Sequence, residues 1–333
     1  MEIHYFRDPK LNFGDDLNKI IWNKLLSPEA RSVDDLVLVG IGSIFHEGFS
    51  PPPGRRVIVL GSGTSYLAPP SRHHEWHVLA VRGPFTAKVI GMPDKAVTDG
   101  AILLAASDLA PIAPERNDII FMPHHKSIRR TSWERIAQEA GFAYVSPQQP
   151  VEQVLFAFSK AKLVVTEAMH GAIVADTMRI PWIPVITNPT IDEFKWRDWT
   201  LSMNLPYEPL PVNVADGSDL FGNRTIARLL QDTGLSGHEL DGNPDATQLF
   251  DYLDRRFNED MRKALLQGPR TLVDRAANRL LRLANPILAT SAVRSLRAAA
   301  RGRPYLSSDA VFSSRLDQMM DAVRQAERIA LRR

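Results

Sequence analysis

His170 stands in Thr166-Glu167-Ala168-Met169-His170-Gly171, just after the apolar run Leu163-Val164-Val165. An imidazole at a strand end can take or give a proton near neutral pH, although a structural hydrogen-bonder fits the same place. Arg82 leaves a second apolar run and precedes Gly83-Pro84, which reads as a helix start. A guanidinium there suits a carboxylate or phosphate, and a surface ion pair is the plainer alternative. His124-His125-Lys126 also leaves a strand and could bind an anion. Lys195-Trp196-Arg197-Asp198-Trp199 joins two cations to two indoles on which a sugar could stack. A Trp-anchored loop packed on the core explains the same residues.

Two glycine turns, Gly40-Ile41-Gly42 and Gly61-Ser62-Gly63, could bring backbone N–H groups to a phosphate. Neither completes G-x-G-x-x-G, since Phe45 or Tyr66 fills the last position. Tight strand–helix packing is an equal reading of both. His73 and His77 are four apart, but His77 opens a predicted strand, so helical metal-ligand spacing fails.

The elements that must carry these groups alternate between strand and helix. Leu36–Val39, Val57–Leu60, His77–Val81 and Ala96–Thr98 read as strands, with a short helix over 85–90. Pro111 to Asp118 reads as a linker. A second series follows, with strands at 118–122, 142–145, 163–165 and 182–186 and helices at 132–140, 151–161 and 172–178. This is the pattern of parallel α/β sheets, whose ligands bind at the carboxyl ends of the strands. With two such series, strand ends can face each other across one cleft.

Composition limits the chemistry. The 333 residues contain no cysteine, which excludes disulfides, thiolate nucleophiles and Cys-ligated metals. No run of about 18 apolar residues exists, and the N-terminus does not read as a secretory signal. Residues 262–333 carry 15 Lys/Arg against 5 Asp/Glu. Leu272, Val273, Ala276, Leu280 and Leu283 can share a helical face there, flanked by Arg275, Arg279 and Arg282. Attraction to an anionic membrane surface or a phosphate-bearing lipid carrier fits this face, as does a solvated or packed helix. Interleaved aromatics are few, which argues against nucleic acid.

The motifs resemble, in their order, the polysaccharide pyruvyltransferase family. Asn12-Phe13-Gly14-Asp15-Asp16 is similar to the family's N-x-G-D opening. Gly40–Ile44, Gly61–Gly63, Val81–Pro84, Thr98–Ala101, Pro123-His124 and Thr166–Ala175 follow in family order. Phe194–Trp199 resembles the exopolysaccharide branch that decorates succinoglycan-type repeat units. The resemblance covers about residues 1–200. It implies an α/β fold of two Rossmann-like domains facing across a cleft, as in GT-B glycosyltransferases. The expected divisions are 1–112, 113–248 and a helical basic extension at 249–333.

The resemblance also implies a reaction: pyruvyl transfer from phosphoenolpyruvate to a sugar, closing a cyclic ketal on two hydroxyls. His170 matches the family histidine and would be the general acid/base, with Asp15 or Asp16 orienting or deprotonating an acceptor hydroxyl. Arg82, Lys126, His124, Lys195 and Arg197 would hold the donor. Asn12, Trp196 and Trp199 would meet the acceptor. No metal or organic cofactor is required. The expected partners are phosphoenolpyruvate and a saccharide, lipid-linked, in the cytoplasm at the inner membrane face. One position departs from the pattern: many members place Arg two residues before the histidine, where this chain has Ala168. Lys126, Lys195 or Arg197 could replace it. Two other readings stand beside this one, a nucleotide-sugar glycosyltransferase and a catalytically silent saccharide-binding protein.

Overall fold

The β-branched runs form two wholly parallel sheets in the computed structural model, which describes all residues except 66, 112, 129–130, 233–234, 236–239, 258–278 and 333. The first sheet holds β1 (Glu2–His4), β2 (Leu36–Val39), β3 (Arg56–Ser62) and β4 (His77–Val81), in that spatial order. β2 is buried along its whole length, hence its unbroken Leu-Val-Leu-Val run. Helix α1 (Phe13–Leu25) crosses from β1 to β2, with the short α2 (Pro28–Arg31) behind it, and α3 (Pro84–Val89) follows β4.

The second sheet holds β5 (Asp118–Met122), β6 (Ala143–Tyr144), β7 (Ala161–Thr166), β8 (Trp182–Ile186) and β9 (Leu210–Pro211). Its order is β6-β5-β7-β8-β9. Helices α4 (Trp133–Ala140), α5 (Val151–Ser159), α6 (Met169–Thr177) and α7 (Glu193–Ser202) make the connections. The chain steps from β5 to β6 on one side, then returns to place β7 on the other. Such a reversal opens a crevice between the two strand ends, where ligands bind. The first sheet runs without a reversal.

Three local expectations change. Ala96–Thr98 contributes a single parallel bridge, Val81 to Ala96, rather than a strand. The chain turns away there because the Asp99 carboxylate accepts from the Ala101 N–H at 3.0 Å and starts a 3-10 helix over Gly100–Ala106. The segment holding Lys195 to Trp199 is helix α7, not a loop, and Asp192 caps it by accepting from the Phe194 N–H. Asp15 and Asp16 lie in the first turn of α1, a helix that strand–turn reading passed over.

One continuous core joins the sheets, running from Leu17, Leu38 and Leu60 to Ile120, Val164 and Trp182. Beyond α8 (Gly217–Asp232), α9 (Ala246–Phe257) packs Tyr252 and Leu253 against Phe85 and Phe194. Helix α10 (Asn285–Ala299) covers the second sheet beside α4, burying Ala292, Val293 and Leu296. Helix α11 (Asp309–Leu331) returns to β3 and β4 and buries Met319, Ala322, Val323 and Ala326. Among the described residues no helix is long and apolar enough to cross a membrane.

Candidate active site

Two loops leave the second sheet at its reversal. His124, His125 and Lys126 follow β5, and Ala168, Met169 and His170 lead from β7 into α6. Glu167, fully buried, ties them together. Its carboxylate accepts from the His124 N–H at 3.2 Å, the Thr187 N–H at 2.6 Å and the Asn188 N–H at 3.0 Å. Burial raises its pKa and these donors oppose the rise. Thr166 Oγ1 accepts from the Ala168 N–H at 3.0 Å and so fixes where α6 begins.

The opposite wall is the start of α1. Asn12 Nδ2 donates to Asp15 Oδ2 at 2.6 Å. Asn18 donates to the Asp15 and Ile41 carbonyls, both at 2.9 Å, and accepts from the Ile41 N–H at 2.8 Å. The helix is thereby pinned to the loop after β2. Gly14 is one point of contact with the other half, beside Phe13, whose N–H donates to the Pro147 carbonyl at 3.0 Å. A Cβ on Gly14 would lie 2.0 Å from His170 Nδ1, so only glycine lets the imidazole pack against α1.

Between these walls lies a cleft of about 310 Å³. Asn12, Asp15, His124, Lys126, His170 and Lys195 line it, bringing together six residues that the sequence singled out. His125, part of the His124–Lys126 motif read as able to bind an anion, lines it too, as do Ser43 and His46, which were missed. The amino ends of α1 and α6 both reach the cleft, and their partial positive charges favour an anion. A larger cavity of about 480 Å³ opens at the amino ends of β3 and β4. Its Arg72 and Glu75 form an exposed ion pair, and it lies at the end of the sheet opposite to where α/β ligands bind.

Burial and the cations set the protonation of the cleft. Burial lifts the Asp15 carboxyl to about 7 against the pull of Lys195. Burial, helped by Lys195 and Arg82, lowers His170 to about 3. Burial and then Lys195 lower His125 to about 4, and the same two causes hold His124 well below its ordinary value. The imidazoles are therefore neutral at pH 7, while Asp15 is near half-protonated. Behind His170 stands Asp99, fully buried and pushed up to about 6 by desolvation. Asp99 Oδ1 lies 4.0 Å from His170 Nε2. His170 Nε2 and Asp99 Oδ2 are buried with no hydrogen-bond partner among the described residues. Thr98–Ala101 was among the ordered motifs, but nothing in the linear chain set Asp99 beside the histidine.

Other expected contacts fall elsewhere. Arg82 is fully buried. It donates to Asp198 at 3.1 Å, the Thr64 carbonyl at 2.9 Å and Ser43 Oγ at 2.6 Å, so its guanidinium is spent inside the protein. It acts on the cleft through its field on His170. Arg197 points away and pairs with Glu193 at 2.7 Å and Asp241 at 2.8 Å. Trp196 and Trp199 lie in the core against Trp182 and Tyr207, with no face left for a sugar. Asp16 turns outward to Lys19 at 2.8 Å. The glycine turns serve close packing: a Cβ on Gly61 would lie 2.5 Å from Gly100, and Gly42 has φ +126° beside Asp15.

Residues 2–189 match the family described as polysaccharide pyruvyl transferase. The succinoglycan biosynthesis protein ExoV of Rhizobium meliloti (strain 1021) is 30% identical over 333 residues, covering 98% of this chain and 99% of that relative. No solved structure matches the chain. The family match takes in both walls of the cleft, from Asn12 to His170, and the chain belongs to the polysaccharide pyruvyl transferase family.

Proposed function

We propose that the cleft moves a pyruvyl group from phosphoenolpyruvate to a sugar of an exopolysaccharide repeat unit and closes it as a cyclic ketal. One observation carries this reading: Asp15 and His170, from different halves of the chain, share a cleft with Lys126, Lys195 and two helix amino ends. An anionic donor needs those cations and N–H groups, and Lys126 and Lys195 take the place of the arginine that Ala168 lacks.

The protonation states suggest a division of labour. Asp15 near 7 can donate a proton to the donor's methylene carbon, leaving a cationic centre at C2. A sugar hydroxyl attacks C2 and gives up its proton to neutral His170. The C2–O bond to phosphate then breaks. A second hydroxyl of the same sugar attacks C2 and closes the ring. Of the two hydroxyl protons, one replaces the proton given to carbon and the other leaves with phosphate. The anionic donor offsets Lys195 and so raises the basicity of His170 as it binds. Asp99 is a positioning residue in this scheme. Its carboxylate, 4.0 Å from Nε2, favours the proton on that nitrogen and leaves Nδ1, which packs against Gly14, as the basic nitrogen.

The test is acceptor-dependent phosphate release from phosphoenolpyruvate, with cell-derived glycolipid as acceptor. The His170→Ala protein is expected to lose about 10²- to 10⁴-fold in kcat with its fold intact. Release that persists in the variant would remove His170 from the chemistry. No release by the wild type with verified acceptor would reject the donor.

A further inference from the structure

The chain between 279 and 308 contains six arginines and no acidic residue. Leu280, Leu283 and Ile287 lie within it, at 66%, 77% and 74% exposure. These are the three most exposed large apolar side chains among the described residues, and they stand on either side of a turn at Ala284. Leu272, Val273, Ala276 and Arg275, expected to continue this face, lie outside the described residues.

The exposure belongs to a segment held in place. Asn285 Oδ1 accepts from the Gly217 N–H at 2.8 Å, and Asn285 Nδ2 donates to Asp216 Oδ2 at 3.0 Å. The Leu281 backbone approaches Gly217 so closely that a Cβ there would lie 2.2 Å from it. Farther along α10, Ala292, Val293 and Leu296 are buried against the second sheet. The segment is thus fixed along one side while Leu280, Leu283 and Ile287 face outward.

Its position is also informative. Asp216 and Gly217 follow the carboxyl end of β9, the end of the sheet at which the cleft opens. Asp219 Oδ2 accepts from the Thr131 N–H at 2.8 Å, and Thr131 ends the loop that begins with His124–Lys126. Hydrogen bonds therefore connect the apolar ridge to the loop that lines the cleft.

We infer that Leu280, Leu283 and Ile287, with Arg279 and Arg282, form a docking surface for an anionic lipid bilayer. The apolar side chains enter the acyl boundary and the arginines meet lipid phosphates. Arg279 and Arg282, like charges flanking the ridge, disfavour a second copy of the same ridge. Docking this way sets the carboxyl end of the second sheet, and the cleft with it, near the membrane surface.

The full chain is sedimented with vesicles of phosphatidylglycerol and phosphatidylcholine, and with phosphatidylcholine alone. Binding is expected with the anionic vesicles and to weaken with salt. Leu283→Glu/Ile287→Glu and Arg279→Glu/Arg282→Glu are each expected to weaken it about tenfold or more. These side chains are exposed, and an unchanged thermal transition will show that the variants fold. No binding to anionic vesicles overturns the inference, as does binding that both variants retain. Concentration-dependent dimers abolished by Leu283→Glu/Ile287→Glu also overturn it, by giving the ridge to a second copy.

Discussion

The two sheets reach the cleft by different means. In the second, the step from β6 back to β7 parts the strand ends, and His124–Lys126 and Ala168–His170 fill the gap. Backbone at strand ends places those groups. The first sheet has no reversal, and it delivers Asn12 and Asp15 through the opening turn of its crossover helix. A site can thus draw one wall from topology and the other from a helix pinned by a side chain, here Asn18. Several contacts join the halves, and two of them bear on the site. Gly14 meets His170, and Asp198 of α7 meets Arg82 and the start of α3.

The severest break is at Asp198. It accepts from Arg82 Nε, from the Phe85 and Thr86 N–H groups and from Thr86 Oγ1 at 2.6 Å. Asp198→Ala leaves Arg82 charged and buried, so a loss of about 3–5 kcal/mol is expected in denaturant melts. A loss below about 1 kcal/mol would mean that this contact does not hold the halves together. Gly14→Ala strikes a second joint. The new Cβ displaces the imidazole, and a fall of about 10²-fold in kcat is expected with about 1–3 kcal/mol of stability. Wild-type turnover in this variant would show that the walls need not touch.

Asp15 sharpens the comparison through pH. Its carboxyl ionises near 3.8 when unfolded and near 7 when folded. The folded protein keeps a proton that the unfolded chain has lost, so this residue's contribution to stability falls as pH climbs from about 4 to 7. Lowered His170 acts in the opposite sense, costing stability as pH drops from 6.5 toward 3. Melts of wild type minus Asp15→Asn isolate the first slope. The variant should be more stable at pH 8, on the order of 2–4 kcal/mol, and far less active. Equal stability at both pH extremes would place Asp15 in a wetter site. The smallest effect is expected at Arg197, whose partners lie outside the cleft. Arg197→Ala should leave the KM for phosphoenolpyruvate unchanged and cost under about 1 kcal/mol.

Much of the fold was legible locally. Val164-Val165 and Val57–Leu60 are strands because β-branched residues suit a buried sheet, and Gly141 ends α4 at φ +83°. Helix α1 was passed over, although Leu17, Ile21 and Trp22 recur at helical spacing and face the core. In the site, His124, Lys126 and His170 come from strand ends, Asn12 and Asp15 from the opening of α1 and Lys195 from α7, and all six share one cleft. Arg82, Trp196 and Trp199 looked equally functional by type and position. Burial decides between a ligand contact and an internal one, and it is set by residues far along the chain: Asp198 for Arg82, Trp182 and Tyr207 for the indoles.

The sequence by itself determined the α/β class, the absence of thiol chemistry, the family resemblance and the basic character of the C-terminal region. Those follow from composition, period and residue order, all of which are local or additive properties. Tertiary structure alone decided that Asp15 meets His170, that Asp99 stands behind it and that Arg82 is internal. It also decided which apolar side chains of the basic region face outward. Each of these depends on desolvation and distance between segments about 70 to more than 150 residues apart, and no spacing in the linear chain encodes that.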